Sequence, residues 1–284
     1  MESILTRGYL TNMSEEKCCV CSTSMQPIFK GCVLQRHQVT YFQCADCGFL
    51  RTQNPTWLNE AYSSAIARSD TGLVVRNLQI ARHLACVLDA FFEPDGRFLD
   101  TAGGTGLLTR LMRDTGFDFW WEDPYCENVM AAGFEVAPAA SDFEAVTAFE
   151  ALEHMVNPME FIKDSLSRSR TKTLIFSTEL YAPPKPRKDW WYLAQSTGQH
   201  ISFFTRKTME TIAVHHGLNF YSQGLIHMLT EKSIDPKRYR KTMRRVDRGL
   251  YEKVAMRMHG LTQADHEKMI QQAVSAPAIQ SSGA

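Results

Sequence analysis

Phe98-Leu-Asp-Thr-Ala-Gly-Gly-Thr-Gly-Leu-Leu-Thr-Arg-Leu-Met112 decides how the rest of the chain is read. A short apolar run ends on Asp100, a turn carries Gly103, Gly104 and Gly106, and apolar residues recur at Leu107, Leu108, Leu111 and Met112. That is a strand turning on glycines into a helix. Such a turn presents backbone N–H groups and the positive end of a helix to a ligand. Glycine, without a Cβ, lets that ligand come close. A plain tight turn has the same local look, so the meaning of this one rests on the segments downstream of it.

Those segments alternate between strands and helices. Phe117–Trp121 reads as a second strand, and Glu122-Asp123-Pro124 closes it. A carboxylate about 20 residues beyond a glycine loop, at the tip of the next strand, is placed to accept ribose hydroxyls; Asp123 is the first choice and Glu122 the second. A strand-ending Asp-Pro turn accounts for the same residues. Ala145–Phe149 reads as a third strand, followed directly by Glu150-Ala-Leu-Glu153-His154, and Thr173–Phe176 as a fourth after a helix opened by Pro158. The alternation predicts an α/β protein with a parallel sheet and ligands beyond its carboxyl edge. Upstream, Val75, Leu78, Ala81, Leu84, Ala85, Leu88 and Phe91 recur at helical spacing before Pro94-Asp-Gly96 stops the helix. Tyr62, Asp70, Arg76 and Asn77 are polar groups near this helix, suited to lid a site or to be solvated.

The first 56 residues read differently. Cys18-Cys-Val-Cys21 and Cys44-Ala-Asp-Cys47 are two C-x2-C pairs joined by two short strand-like runs, Pro27–Phe29 and Gln38–Phe42. Two such knuckles complete a tetrahedral four-thiolate site, which suits structural zinc. Cys19 or Cys32 can replace one ligand, and buried free thiols or a redox pair are the other readings. A module this small gains much of its folding energy from its metal.

Taken in order, Leu99-Asp100-Thr-Ala-Gly103-Gly104-Thr-Gly106, Asp123, and Ala148-Phe-Glu150-Ala-Leu-Glu153-His154 with Asn157-Pro158 resemble class I S-adenosylmethionine-dependent methyltransferases over roughly residues 75–220. One departure is Ala102, where that family usually has its first glycine. The resemblance implies a Rossmann-like class I methyltransferase sheet with a small N-terminal zinc-ribbon-like module. It implies that Asp100, Ala102, Gly103, Gly104 and Gly106 contact the methionine part of S-adenosylmethionine, that Asp123 binds its ribose, and that Phe149 and residues near Phe143 flank its adenine or sulfonium. A four-cysteine module ahead of such a domain is similar to bacterial sugar methyltransferases, so the expected acceptor is small, with a nucleotide-linked sugar or saccharide as partner.

Transfer to a hydroxyl or activated carbon needs a base or a metal. His200, between Gly198-Gln199 and the β-prone run Ile201–Phe204, is the candidate base. Glu150, Glu153 and His154, spaced i, i+3, i+4, are the alternative: with His200 they can hold a divalent cation (Mg, Mn or Zn). This Glu-x-x-Glu-His pattern resembles metal-using O-methyltransferases of ubiquinone synthesis and of small-RNA 3′ ends. Trp190-Trp191-Tyr192, after the loop Pro183-Pro-Lys-Pro186, suits stacking on an acceptor or packing in a core.

The expected organisation is a cysteine module (1–56), a helical lid or linker (57–97), the methyltransferase domain (98–230) and a basic helical extension with a disordered tail (231–284). The 31 Lys+Arg against 31 Asp+Glu give no net charge, which makes nucleic acid an unexpected partner. The basic run 237–245 with Arg248 leaves open RNA methylation with the cysteine module as a grip. A third reading is a non-catalytic scaffold whose Ala102 loop binds no cofactor. No stretch reaches the ~20 apolar residues of a membrane span, and Met1–Arg7 lacks a signal-peptide core, so a cytoplasmic protein is expected.

Overall fold

The computed structural model describes residues 16–63, 67–137, 139–140 and 142–275. The start of the chain and most of the tail expected to be disordered, residues 276–284, lie outside them. Chain order begins with a hairpin, β1 (Met25–Val33) and β2 (His37–Cys44), then β3 (Leu50–Thr52) and the short helix α1 (Leu58–Ala61). The long α2 (Leu73–Phe91) leads into β4 (Arg97–Asp100), α3 (Leu107–Thr115) and β5 (Asp118–Trp121). Next come β6 (Ala145–Ala148), a 3-10 turn (Leu152–His154), α4 (Pro158–Arg168) and β7 (Thr173–Phe176). After a 3-10 turn at Trp191–Leu193 come β8 (Ser202–Phe203), α5 (Arg206–His216), β9 (Asn219–Gln223) and β10 (Ile226–Thr230). The chain closes on α6 (Pro236–Arg245), a 3-10 turn (Val246–Arg248), α7 (Leu250–Met258) and α8 (Thr262–Ser275).

Six strands form the main sheet in the order β5-β4-β6-β7-β10-β9. β5, β4, β6 and β7 are mutually parallel, and β10 alone runs antiparallel to both its neighbours. Helices cover both faces, and strand periodicity assigns side chains to them. Phe98, Ala145, Ile175, Ile226 and Met228 point into the core under α2, α3, α6 and α7. Leu99, Val146, Leu174, Phe176 and Leu229 point to the opposite core with Ile162 of α4 and Met209, Ile212 of α5. Successive strand residues thus serve alternate layers, each fully buried apolar side chain stabilising by roughly 1.5–3 kcal/mol.

A second, antiparallel sheet has the order β1-β2-β3-β8. Its fourth strand comes from residues 202–203, far down the chain, through Leu50↔Phe203 and Arg51↔Ser202. The cysteine-bearing hairpin is therefore built into the body of the protein. Tyr41, Leu50, Trp57, Tyr181, Tyr192 and Phe203 form the core beneath it.

Two expectations of packing are corrected. Val75 and Leu78, expected on the buried face of α2, are 59% and 46% exposed, and the buried residues of the helix begin at Ile80. The first turns of α2 run past the sheet, toward the edge where Arg76 meets Glu150. Phe143 precedes β6 at the amino end of the sheet; it is buried, with the Arg97 guanidinium over its ring, so it cannot flank a cofactor at the carboxyl edge. The basic run does form a helix: α6 buries Tyr239, Thr242 and Met243 and exposes its cations. Among the described residues no helix is long and apolar enough to cross a membrane.

Candidate active site

The strand order reverses direction at β4, whose neighbours are β5 on one side and β6 on the other. A crevice at such a switch point, outside the carboxyl ends of the strands, is where open α/β sheets bind ligands. The glycine turn lies there. Gly106 adopts φ +84° ahead of α3 and Gly104 φ +53°, both left-handed conformations. At Gly103 the requirement is close approach: a Cβ would sit 2.5 Å from Cδ1 of Trp121.

Asp123 ties this turn to the end of β5. One oxygen accepts from the Gly104 amide at 2.9 Å, and the other from the amides of Tyr125 (2.8 Å) and Cys126 (3.0 Å). Three of the roughly four acceptor positions of a carboxylate are thus used, leaving room for a hydroxyl. Glu122 instead pairs with Arg168 and lies 3.4 Å from the Thr101 hydroxyl. Asp100 is fully enclosed and accepts from the Thr147 hydroxyl at 2.7 Å. Burial pushes its carboxyl up to about 7, against the pull of that hydrogen bond. Ala102 is half-buried in the turn and Phe149 half-buried immediately after β6.

The segment after β6 carries the acidic pattern. Glu150 sits at φ +51°, its amide donating to the Ser177 hydroxyl (2.9 Å), which donates back to its carboxylate (2.5 Å). Arg76, at the start of α2, binds Asp70 through two nitrogens (2.8 and 3.2 Å) and reaches Glu150 at 3.5 Å. No motif in the sequence marks Ser177; its position just past the end of β7 is the one signal that points to it.

Glu153 is wholly buried, and among the described residues no donor meets either carboxylate oxygen at full hydrogen-bond geometry, the Tyr192 hydroxyl only lying near enough to favour its charged form. Burial, and then the charge of Glu150, push its carboxyl above the ordinary range. A buried, unpaired carboxylate is costly unless a cation or proton compensates it. Two histidines adjoin it: one ligand atom each of Glu153, His154 and His200 lies within 4.8 Å of the others. Glu150 stands outside that group, held by Ser177 and Arg76.

Backbone carbonyls set both rings. His154 Nδ1 lies 3.0 Å from the Gln199 carbonyl and 2.9 Å from the Tyr62 hydroxyl. His200 Nδ1 lies 2.7 Å from the Tyr192 carbonyl. A carbonyl only accepts, so His200 Nδ1 carries the proton and its Nε2 offers a lone pair, the arrangement a metal-ligating or basic imidazole needs, whereas at His154 the Gln199 carbonyl favours the same tautomer and the Tyr62 hydroxyl can serve either. Burial lowers both pKa values and keeps the rings neutral.

A cavity of about 560 Å³ is lined by Glu179, Leu180, Tyr181, Pro186, Trp190 and Trp191 among others, and Glu153, His154 and His200 are not in its lining. The expected aromatic cluster is divided in role: Tyr192 is buried against His200 (ring centroids 4.6 Å apart), whereas Trp191 is 74% exposed at the cavity.

In the N-terminal hairpin region, Cys18 and Cys47 place their sulfurs 3.6 Å apart, and Cys21 and Cys44 3.4 Å, all four within 4.8 Å of one another. Four ligands at a Zn–S distance near 2.3 Å have edges of about 3.8 Å, so the quartet fits zinc. Cys19 and Cys32 are not part of it.

The family model described as a methyltransferase domain matches residues 76–223, just over half of the chain. No curated protein matches the chain. Among solved structures, the chain is similar to an O-methyltransferase family protein from Burkholderia thailandensis (12% identity, TM-score 0.45, 64% of this chain and 65% of that one). It is similar to human N-acetylserotonin methyltransferase in complex with SAM (11%, 0.43, 62% and 66%). It is also similar to CalO1, a methyltransferase in calicheamicin biosynthesis, in its SAH-bound form (12%, 0.40, 56% and 53%). The chain spans less than two thirds of the length of each.

Proposed function

Because the chain belongs to the methyltransferase-domain family, we propose that it is a class I S-adenosylmethionine-dependent enzyme that methylates a hydroxyl or activated carbon of a small, sugar-containing acceptor held beside Glu153, His154 and His200. The observation that carries this reading is the buried, unpartnered Glu153 carboxylate next to two neutral histidines.

S-adenosylmethionine, when bound, supplies an electrophilic methyl group. The Asp100–Gly106 turn and Phe149 would contact it, with Asp123 accepting from its ribose. One carboxylate and two imidazoles form a donor set suited to a divalent cation, which would supply Lewis acidity that lowers the pKa of an acceptor hydroxyl. Gln199 and Tyr192 orient the two rings through their carbonyls, and Arg76 offsets the charge of Glu150 and Asp70. Alignment of acceptor and methyl group is the largest task left to the protein, and the Trp191 cavity is the place for the acceptor.

A second reading is favoured by the fixed proton on His200 Nδ1: its Nε2 takes the acceptor proton directly, without a metal. In both, zinc in Cys18, Cys21, Cys44 and Cys47 is structural. Residues 57–97 then lid the site, 98–230 carry the chemistry, and 231–284 form an extension.

Calorimetric titration with S-adenosylmethionine and S-adenosylhomocysteine, beside metal analysis of the same sample, tests the proposal. Micromolar binding that weakens at least tenfold in Asp123→Ala is expected. Absence of binding by folded, zinc-loaded protein overturns it. Activity that survives removal of every metal except the cysteine-bound zinc selects His200 as base.

A further inference from the structure

Residues adjacent to the cysteine ligands connect the four-cysteine knuckle to the rest of the site. Gln43, beside Cys44, donates from Nε2 to the Tyr181 hydroxyl (2.9 Å) and to the Pro184 carbonyl (2.6 Å). Gly48, beside Cys47, accepts through its carbonyl from the same Tyr181 hydroxyl. The Cys47 carbonyl accepts from the hydroxyls of Thr205 (3.1 Å) and Thr208 (2.9 Å). Tyr181 is buried, packs on Trp190 (centroids 6.1 Å apart), and both line the cavity assigned to the acceptor. The same segment continues to Tyr192, whose carbonyl fixes His200.

Resting on the methyltransferase reading, we propose that the zinc knuckle braces the acceptor cavity: Gln43 and the Gly48 carbonyl are positioning groups that hold the Tyr181–Trp191 wall, so that metal occupancy sets the shape of the acceptor site. The physical reason is geometric. Cys44 and Cys47 fix the backbone at the two points from which Tyr181 and Pro184 are held. Three prolines at 183, 184 and 186 remove amides from this stretch, so it cannot be stitched into a sheet and needs side-chain anchors. Without the metal, the knuckle loses its fixed geometry and the anchors lose their common base. The module then serves acceptor selection, and a nucleic-acid grip is not required to account for it.

Amide hydrogen exchange of the full chain, read with zinc content and S-adenosylhomocysteine affinity, tests this. In zinc-loaded Gln43→Ala, amides in 182–191 are expected to exchange about tenfold faster. Those of α3 and the cofactor affinity stay unchanged. Tyr181→Phe, which keeps the ring and removes only the hydroxyl, should reproduce the effect, and chelation of zinc from the wild-type chain should exceed it, with recovery when zinc is returned. Unchanged protection of 182–191 in both variants with zinc retained would overturn the proposal, as would a loss spread evenly over the chain. The exchange result stands apart from the calorimetry, so failure of cofactor binding would defeat the methyltransferase reading without being mistaken for failure of the brace.

Discussion

Asp100 shows what a single residue can report. Its carboxyl titrates near 7 in the folded chain because burial disfavours the charge, against an ordinary value of 3.8. The folded state therefore binds a proton more tightly than the unfolded one between those values. The stability this contributes is complete below about pH 4 and is lost as pH rises through 7, by about 1.4 kcal/mol per pH unit within that window. Urea denaturation of cofactor-free protein at several pH values should show a slope that contains this contribution beside that of Glu153, which has the same sign, and Asp100→Asn should lower the slope by about 1.4 kcal/mol per pH unit; an unchanged slope in the variant would assign it elsewhere. Asp100, Glu153, His154 and His200 are all legible in the sequence because each sits at a strand end or in a spaced acidic pattern. Tyr192 and Gln199 are not legible as ring-orienting groups, because they act through backbone carbonyls that any residue possesses.

Among the elements, α5 carries the clearest local instruction. Thr205 caps it, accepting from the Thr208 amide at 3.0 Å, while the Thr208 hydroxyl reciprocates to the Thr205 amide at 3.1 Å. Thr205 also donates to the Cys47 carbonyl, so the cap joins helix to knuckle. Thr205→Ala should cost about 1–2 kcal/mol, read as a lower urea midpoint at unchanged m-value, and Thr205→Ser should recover most of it. Elements with strong periodicity are legible in the sequence within a residue or two: β4, β6, β7 and α2. β9 is not, since Asn219–Gln223 is a half-exposed edge strand without apolar alternation. α7 and α8 escape the pattern as well. α8 buries Asp265, a charge that hydropathy patterning counts against helix burial, and lays Lys268 over the rings of Trp120 and Phe134.

At the scale of the molecule, that charge fastens the C-terminal extension to the sheet domain. Asp265 binds Arg113 of α3 through two bonds (2.7 and 2.8 Å) and Arg110 at 2.9 Å, while Arg113 also reaches Asp118 and the Phe119 carbonyl. Removing one partner of a buried pair strands the other charge. Because Arg113 keeps Asp118, Asp265→Ala should cost about 3 kcal/mol, near the low end for such pairs; a loss below about 1 kcal/mol in urea denaturation would mean that α8 is held by its apolar contacts instead. The pairing of Leu50 with Phe203 has a consequence of a different kind. A ribosome releases β3 long before it has made β8, so the small sheet emerges with an open edge and stays unfinished while the whole cofactor-binding half is synthesised. The cysteine hairpin can take up metal early, but its sheet closes late, after the chain pays the entropy of a very long loop.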